Sequence, residues 1–296
     1  MARRVAFISE KGGVGKTTCC YHIAAALARY HGKRVLVVDA DYQRGGITGR
    51  FFPALIEQFD DGSMSGETLF HKYQQLYSAS KLTPNVDLYE WKHGNLSVDL
   101  LPSDPRLSAV SVDKLPSSNN IRANNKALLA HLRVLDDVLK ALDNEYDYIL
   151  IDSHPEVSDI LRSVIFAADY CVSPVKLDRQ SSVGVATIQG EINNVNDDVE
   201  MIKGAVGSFD YSPTEFSGAI GMMCREWGEA LKGSEQTEFN RLRQTGSMYT
   251  NYVTEGDGLR QAAAQRVPVY DIGISNAVKQ SGQFKNLTVE FLVECP

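Results

Sequence analysis

The 296-residue sequence has few cysteines, no long apolar run and no excess of positive charge. Its five cysteines, Cys19, Cys20, Cys171, Cys224 and Cys295, are odd in number and include no C-x-x-C pair. Disulfide frameworks and zinc sites need paired or closer spacing, so reduced and mostly buried thiols are expected. The strongest apolar runs, Val35–Val38 and Tyr148–Ile151, fall far short of the ~20 residues that cross a bilayer. The start, Met1-Ala2-Arg3-Arg4, carries two cations, but the apolar stretch Val5–Ser9 is too short for a secretory core. A soluble, cytoplasmic protein is expected. A net charge of -7 argues against gripping nucleic acid by bulk charge, while leaving room for one local basic face. Internal repeats and low-complexity tails are also missing. What is left, 43% apolar and 23% charged, suits a globular chain with a full core.

The apolar segments follow one grammar. Arg4–Ser9 is apolar and followed by a glycine loop, Thr17–Tyr30 is alanine-rich with helical spacing, Gly32 stops it, and Arg34–Asp39 is apolar again. This is a βαβ unit whose strands are apolar on both faces, as a parallel sheet requires. Strands are expected again at Val98–Leu101, Tyr148–Asp152, Tyr170–Val175 and Gly218–Cys224, with helices over Lys126–Leu142 and Asn276–Glu294. The expected class is α/β, a doubly wound, mainly parallel sheet with helices on both faces, in which loops at the strand C-terminal ends face a ligand. Phe51–Pro84 and Asn193–Thr214 break the rhythm. They are expected as insertions, the second exposed, in a single domain spanning 1–296.

One stretch carries most of the chemistry. Ile8–Thr18 reads ISEKGGVGKTT. The common phosphate-loop pattern G-x-x-x-x-G-K-[ST] would place its first glycine at position 10, where this chain has Glu10 followed by Lys11. A loop that leaves a buried strand and opens a helix gathers backbone N–H groups and the helix dipole around one point. Gly12, Gly13 and Gly15 let that backbone approach an anion, Lys16 can meet β- and γ-phosphates, and the Thr17 hydroxyl can ligate Mg²⁺. At average residue frequencies, such a pattern arises by chance on the order of once in 10⁴ chains of this length. The candidate nucleotide-binding set is Lys11, Gly12, Gly13, Val14, Gly15, Lys16, Thr17 and Thr18. Three acids stand where strands stop. Asp152 fits a carboxylate holding Mg²⁺ through water, Asp41 is placed to order an attacking water, and Asp39 suits the metal's outer shell. Thr17, Asp41 and Asp152 form the candidate metal set, with Lys11, Lys16 and Asp41 the candidate catalytic set. The work asked of them is positioning and charge neutralisation.

These residues resemble the ParA/MinD family of deviant Walker A (SIMIBI-class) P-loop ATPases, and ParA-type partition ATPases in particular. Lys11-Gly-Gly-Val-Gly-Lys-Thr-Thr18 matches the family's K-G-G-x-G-K-[ST] box. Asp39-Ala-Asp41-x-Gln43 looks like its second box, and Tyr146–Asp152 like its Walker B strand. Val98–Ser103, Ala168–Val175 and Leu259–Asp271 resemble later ParA segments in the same order. The likeness spans nearly the whole chain outside the two irregular regions; the first box is specific and the others support it by order. It implies a P-loop NTPase fold and Mg²⁺-dependent ATP hydrolysis. It also implies an ATP-dependent homodimer in which Lys11 crosses the interface to the partner's nucleotide. Tyr42 and Arg44 depart from the family's frequent D-x-D-P-Q-G, where proline and glycine stand.

The resemblance further implies nonspecific DNA binding by the ATP dimer, nucleoid association, and hydrolysis stimulated by a ParB-like or other adaptor protein. Arg241, Arg243, Arg260 and Arg266 are the candidate DNA contacts. Adenine contacts are expected from the loops after Cys224 and around Val267-Pro268. The chain starts at its first strand, so no helix-turn-helix extension and no operator recognition are expected. Its C-terminal segment, Gly282–Pro296, holds two acids and one lysine, unlike a basic membrane helix. Two other readings stand beside partition: the same engine positioning a protein cargo or regulating cell division, and a nucleotide-gated scaffold that needs no DNA.

Overall fold

A computed structural model describes residues 1–60 and 66–296. The chain opens with β1 (Arg3–Phe7), α1 (Lys16–His31), β2 (Val35–Ala40), α2 (Ile47–Phe51), α3 (Pro53–Asp60) and α4 (Leu69–Tyr77). Next come β3 (Tyr89–His93), β4 (Leu96–Leu101), α5 (Ile121–Leu142), β5 (Tyr148–Ser153), α6 (Asp159–Ala167), β6 (Tyr170–Val175) and α7 (Arg179–Val206). The last part holds β7 (Glu215–Gly221), a small hairpin of β8 (Glu226–Trp227) and β9 (Ala230–Leu231), then α8 (Gly233–Gln244), α9 (Asp257–Gln265) and α10 (Ser275–Glu294).

The main sheet has the order β3-β4-β2-β5-β1-β6-β7, and every described neighbouring pair is parallel except β3–β4. Alternation along the strands explains its two covered faces. Ala6, Leu36, Val38, Ile149 and Ile151 face a core shared with α4, α5, α6 and α7. Val5, Phe7, Val35, Val37 and Leu150 face the other core, shared with α1, α9 and α10. The helices therefore wind onto both faces of a P-loop NTPase sheet. Register then fixes the site: Asp152 on β5 lies opposite both Phe7 on β1 and Asp39 on β2. Three strand ends come level at one edge, and the glycine loop leaves from the same edge.

Some elements differ from the sequence expectation. The apolar run expected as a strand from Gly218 to Cys224 is strand only up to Gly221, and Met223 turns with a left-handed φ of 53°. The stretch 193–214, expected as an exposed insertion, is α7 helix as far as Val206. Its Val195, Val199 and Ile202 are buried, an i, i+4, i+7 stripe masked by polar neighbours. Within 51–84, also expected as an insertion, α3 and α4 form and Leu69, Phe70 and Tyr73 enter the core; residues 61–65 of it lie outside those described. Helix α4 starts at Thr68, which donates its N–H to His71 Nδ1 over 3.0 Å in a capping box. The β3–β4 hairpin at the sheet edge had no counterpart in the sequence reading, because Tyr89–His93 alternates with charge.

Candidate nucleotide-binding site

The loop between β1 and α1 wraps the mouth of a cavity of about 430 Å³, lined by Lys11, Gly12, Gly13, Gly15, Lys16, Thr17, Thr18 and Asp41 among others. Gly13 (φ 72°) and Gly15 (φ 95°) carry the left-handed turns that curl the backbone around it. Gly15 also sits so near Met222 that an added Cβ would stand 3.2 Å from that side chain's Cβ. Val14 is buried beneath the loop. The N–H groups at the start of α1 thus open toward the cavity, the arrangement that holds a phosphate chain.

Lys16 and the acids beneath it form one buried knot. Lys16 Nζ donates to Asp152 Oδ1 at 2.7 Å and lies 3.8 Å from Asp41 Oδ2. The Thr17 hydroxyl donates to the other Asp152 oxygen, also at 2.7 Å. Burial works against the Lys16 charge, but Asp152 and Asp41 more than offset it and hold its pKa above the ordinary lysine value. Asp152 is fully buried and Lys16 nearly so. The expected Mg²⁺ ligands Thr17 and Asp152 are therefore brought together, with Asp41 across Lys16. Facing hard-oxygen donors of this kind are what Mg²⁺ accepts alongside phosphate oxygens and water.

Asp39 is engaged by the loop that follows it. It is buried, and its oxygens accept from the Thr48 N–H (2.9 Å), the Thr48 hydroxyl (2.6 Å) and the Asp41 N–H (3.1 Å). Every one of these bonds ties down the loop from Asp41 to Thr48, so Asp39 holds that loop. Burial, with the Asp152 carboxylate second, pushes its pKa up to about 7, against the pull of the Thr48 donors. The Ser103 hydroxyl donates to the Asp41 carbonyl and the Ser103 N–H to Thr48 Oγ1 (3.0 Å), so the segment just past β4 braces the same loop.

Asp41 faces the cavity in a fixed pose. Its Oδ1 accepts from the Gln43 N–H at 2.9 Å and meets His154 Nδ1 at 3.0 Å. His154 is buried, and its ring lies 4.1 Å from that of Tyr42, centroid to centroid. His154 was missed in the sequence, although it stands two residues past Asp152. That nearness to Asp152 was the available signal; its packing on Tyr42, which occupies the family's proline position, shows only in the fold.

Lys11 is set apart from this knot. It is exposed, and its Nζ donates to Gln180 Oε1 at 2.6 Å, at the start of α7. Glu10 turns toward Gly184, where a Cβ would meet its Oε2 at 2.7 Å. The two lysines of the loop thus point to different places, one into the buried acids and one to the surface.

A second cavity of about 210 Å³ adjoins the first and shares Gly15, Thr18, Arg50 and Met223 with it. Its remaining wall is Met222, Glu255, Gly256, Leu259, Arg260 and Ala263. It is the more apolar of the two and suits a nucleobase. Pro268 does not line it; it precedes the short 3₁₀ turn Val269–Asp271, and Val269 belongs to the α1–α10 core. Met222 and Met223, just ahead of Cys224, and Leu259 and Ala263 of α9 form its apolar wall.

The four arginines expected as DNA contacts are all exposed, and three of them have partners on nearby segments. Arg260 pairs with Glu255 and Asp257, both at 3.1 Å, and lines the second cavity. Arg241 pairs with Glu238 at 3.5 Å, and Arg243 lies 5.8 Å over the Phe239 ring. Arg266 ends α9 in a left-handed cap. All five cysteines are free and buried. Among the described residues no helix is long and apolar enough to cross a membrane.

Residues 2–203 match the family model described as AAA domain (AAA_31). A ParA family protein of Chlamydia pneumoniae is 27% identical over 294 residues, 98% of each chain. The chromosome-partitioning ATPase Soj of Thermus thermophilus is 29% identical over 193 residues, 65% of this chain and 62% of its own. The solved ATP complex of a McdA variant from Cyanothece shares the fold, with a TM-score of 0.71 at 19% identity over 98% of this chain and 96% of that one.

Proposed function

The chain belongs to this AAA-domain family (AAA_31), among the ParA/Soj-type P-loop ATPases, and from that membership we propose an ATP-switched partition ATPase that works as a dimer. ATP binds along the two joined cavities, with its phosphates in the glycine loop and its base between Met222, Met223 and α9. Lys16 leaves Asp152 to meet the terminal phosphates. Mg²⁺, when bound with the nucleotide, supplies charge neutralisation, and Thr17 and Asp152 are the residues that would hold it. Asp41, held by His154 and Gln43, orients the attacking water.

The observation that carries the dimer is the division of labour between the two lysines. Lys16 is buried on its own chain's acids, while Lys11 stands exposed at the lip of the same cavity. A cation at that lip, held by one exposed hydrogen bond to Gln180, can exchange it for phosphates held by a second copy, so ATP would join two chains and hydrolysis would part them. The dimer then binds DNA without sequence preference and is discharged by an adaptor protein bound to the cargo. Such a protein would work in the cytoplasm, on the nucleoid.

One observation favours a second reading. Arg241 and Arg260 already carry acidic partners on their own or adjacent segments, which weakens a DNA face built from them. The same engine would then position a protein cargo or act as a nucleotide-gated scaffold. DNA binding at low salt with ATP, ADP or no nucleotide separates the two. Binding with ATP alone supports partition; none in any state refutes the DNA reading and leaves the protein-directed one.

A further inference from the structure

Arg50 sits on α2 in a position that its surroundings in the free protein do not justify. Its guanidinium is packed 5.3 Å over the Tyr21 ring, and one nitrogen, Nη2, donates to Thr18 Oγ1 at 3.2 Å. The other, Nη1, is buried with no hydrogen-bond partner. Among the described residues no carboxylate stands within ion-pair distance of it, and the pull of Asp152 is outweighed by burial, which draws its pKa below the ordinary arginine value. A guanidinium stays charged in a protein and offers a rigid fork of donors. Burying one without a counter-ion costs several kcal/mol, of which a tyrosine face returns ~0.5–2 kcal/mol. Such a group is completed by an anion.

The location says which anion. Arg50 is one of the few residues shared by the phosphate cavity and the base cavity. Lys16 marks the end where the terminal phosphates lie, and the Met222–Leu259 cleft marks the base. Between them, at Thr18 in the first turn of α1, is the phosphate next to the ribose. We propose that Arg50 is a nucleotide-binding residue whose orphaned Nη1, together with Nη2, takes the oxygens of the α-phosphate. This rests on the reading of the two cavities as one nucleotide site. It adds a cation that the glycine-loop motif does not contain, supplied from α2 and hence from the segment tied to Asp39 through Thr48.

An α-phosphate contact contributes alike to ATP and ADP, whereas a γ-phosphate contact serves ATP alone. The test is isothermal titration of the full chain with Mg-ATP and with Mg-ADP, for wild type, Arg50→Met and Arg50→Lys. Arg50→Met is expected to weaken both nucleotides about 10- to 100-fold, the worth of charge-assisted hydrogen bonds. Arg50→Lys keeps the charge but loses the fork and is expected to weaken both by a smaller common factor. If Arg50→Met does not fold, the lysine variant decides alone. ADP affinity within twofold of wild type in a folded variant, or a loss confined to ATP, overturns the assignment. Wild type binding neither nucleotide overturns the underlying site reading instead, so the two failures are told apart.

Discussion

The buried knot of Lys16 and Asp152 makes a quantitative demand on the nucleotide-free protein. At an effective dielectric of about 20, charges 2.7 Å apart attract by about 6 kcal/mol, and a partner at 3.8 Å adds about 4 kcal/mol. Desolvation of several kcal/mol per ion cancels most of this, so the knot as a whole contributes little net stability. Breaking it is another matter. Lys16→Met leaves Asp39, Asp41 and Asp152 clustered without their cation and is expected to cost about 3–5 kcal/mol. Asp152→Asn leaves Lys16 with Asp41 at 3.8 Å, so it is expected at the lower end, about 3 kcal/mol. The double variant removes both charges and is expected within about 2 kcal/mol of wild type, giving a coupling energy of at least ~4 kcal/mol. The assay is urea unfolding of all four proteins without nucleotide and with EDTA, with slopes checked for equality. Costs that add to within ~0.5 kcal/mol would refute the view that Lys16 is parked on Asp152 before ATP arrives.

Two other predictions concern histidines. His22 is fully buried, stacked 4.6 Å from Phe284, and burial followed by the Arg50 charge lowers its pKa to about 3. A depressed folded pKa means that stability present above the unfolded value is lost as pH falls through it toward the folded one. Between pH 7.5 and pH 5, His22 should therefore cost wild type about 2 kcal/mol that His22→Phe does not lose; parallel pH profiles for the two proteins would show that His22 is not the buried neutral group described. His154→Ala frees Asp41 Oδ1 from its ring partner, and is expected to lower ATPase kcat about tenfold with KM nearly unchanged. His154→Asn, which can keep a donor near Asp41, should recover part of it. Equal falls in both variants, or a change in KM alone, would remove the positioning role.

Much of this was legible in the sequence because the signals are local. A strand, a glycine loop and a helix within Arg3–His31 form a self-contained unit, and the acids at 39, 41 and 152 end strands that hydrophobicity marks plainly. What was not legible depends on how distant segments meet. The hold of Thr48 on the Asp39 oxygens comes from a residue nine positions on, which the strand-end pattern does not show. The apolar cleft beside the phosphate cavity is formed by Leu259 and Ala263 of α9 meeting Met222, a meeting of distant segments that no local pattern marks. The second half of α7 reads as an insertion in the sequence because its asparagines and aspartates outnumber the three apolar residues that dock it. Arg50 sits in a segment with no motif, and its meaning comes from an unfilled hydrogen-bonding position.

The exposed lysine of the loop makes the most direct test. Asp41→Ala should bind ATP without turning it over, and sedimentation of that variant should show a dimer with Mg-ATP and a monomer with ADP. Adding Lys11→Ala to the same chain should leave ATP binding intact and return the protein to monomer. A dimer that persists with Mg-ATP in the absence of the Lys11 ammonium, or an Asp41→Ala protein that stays monomeric with ATP bound, would contradict the two-lysine account.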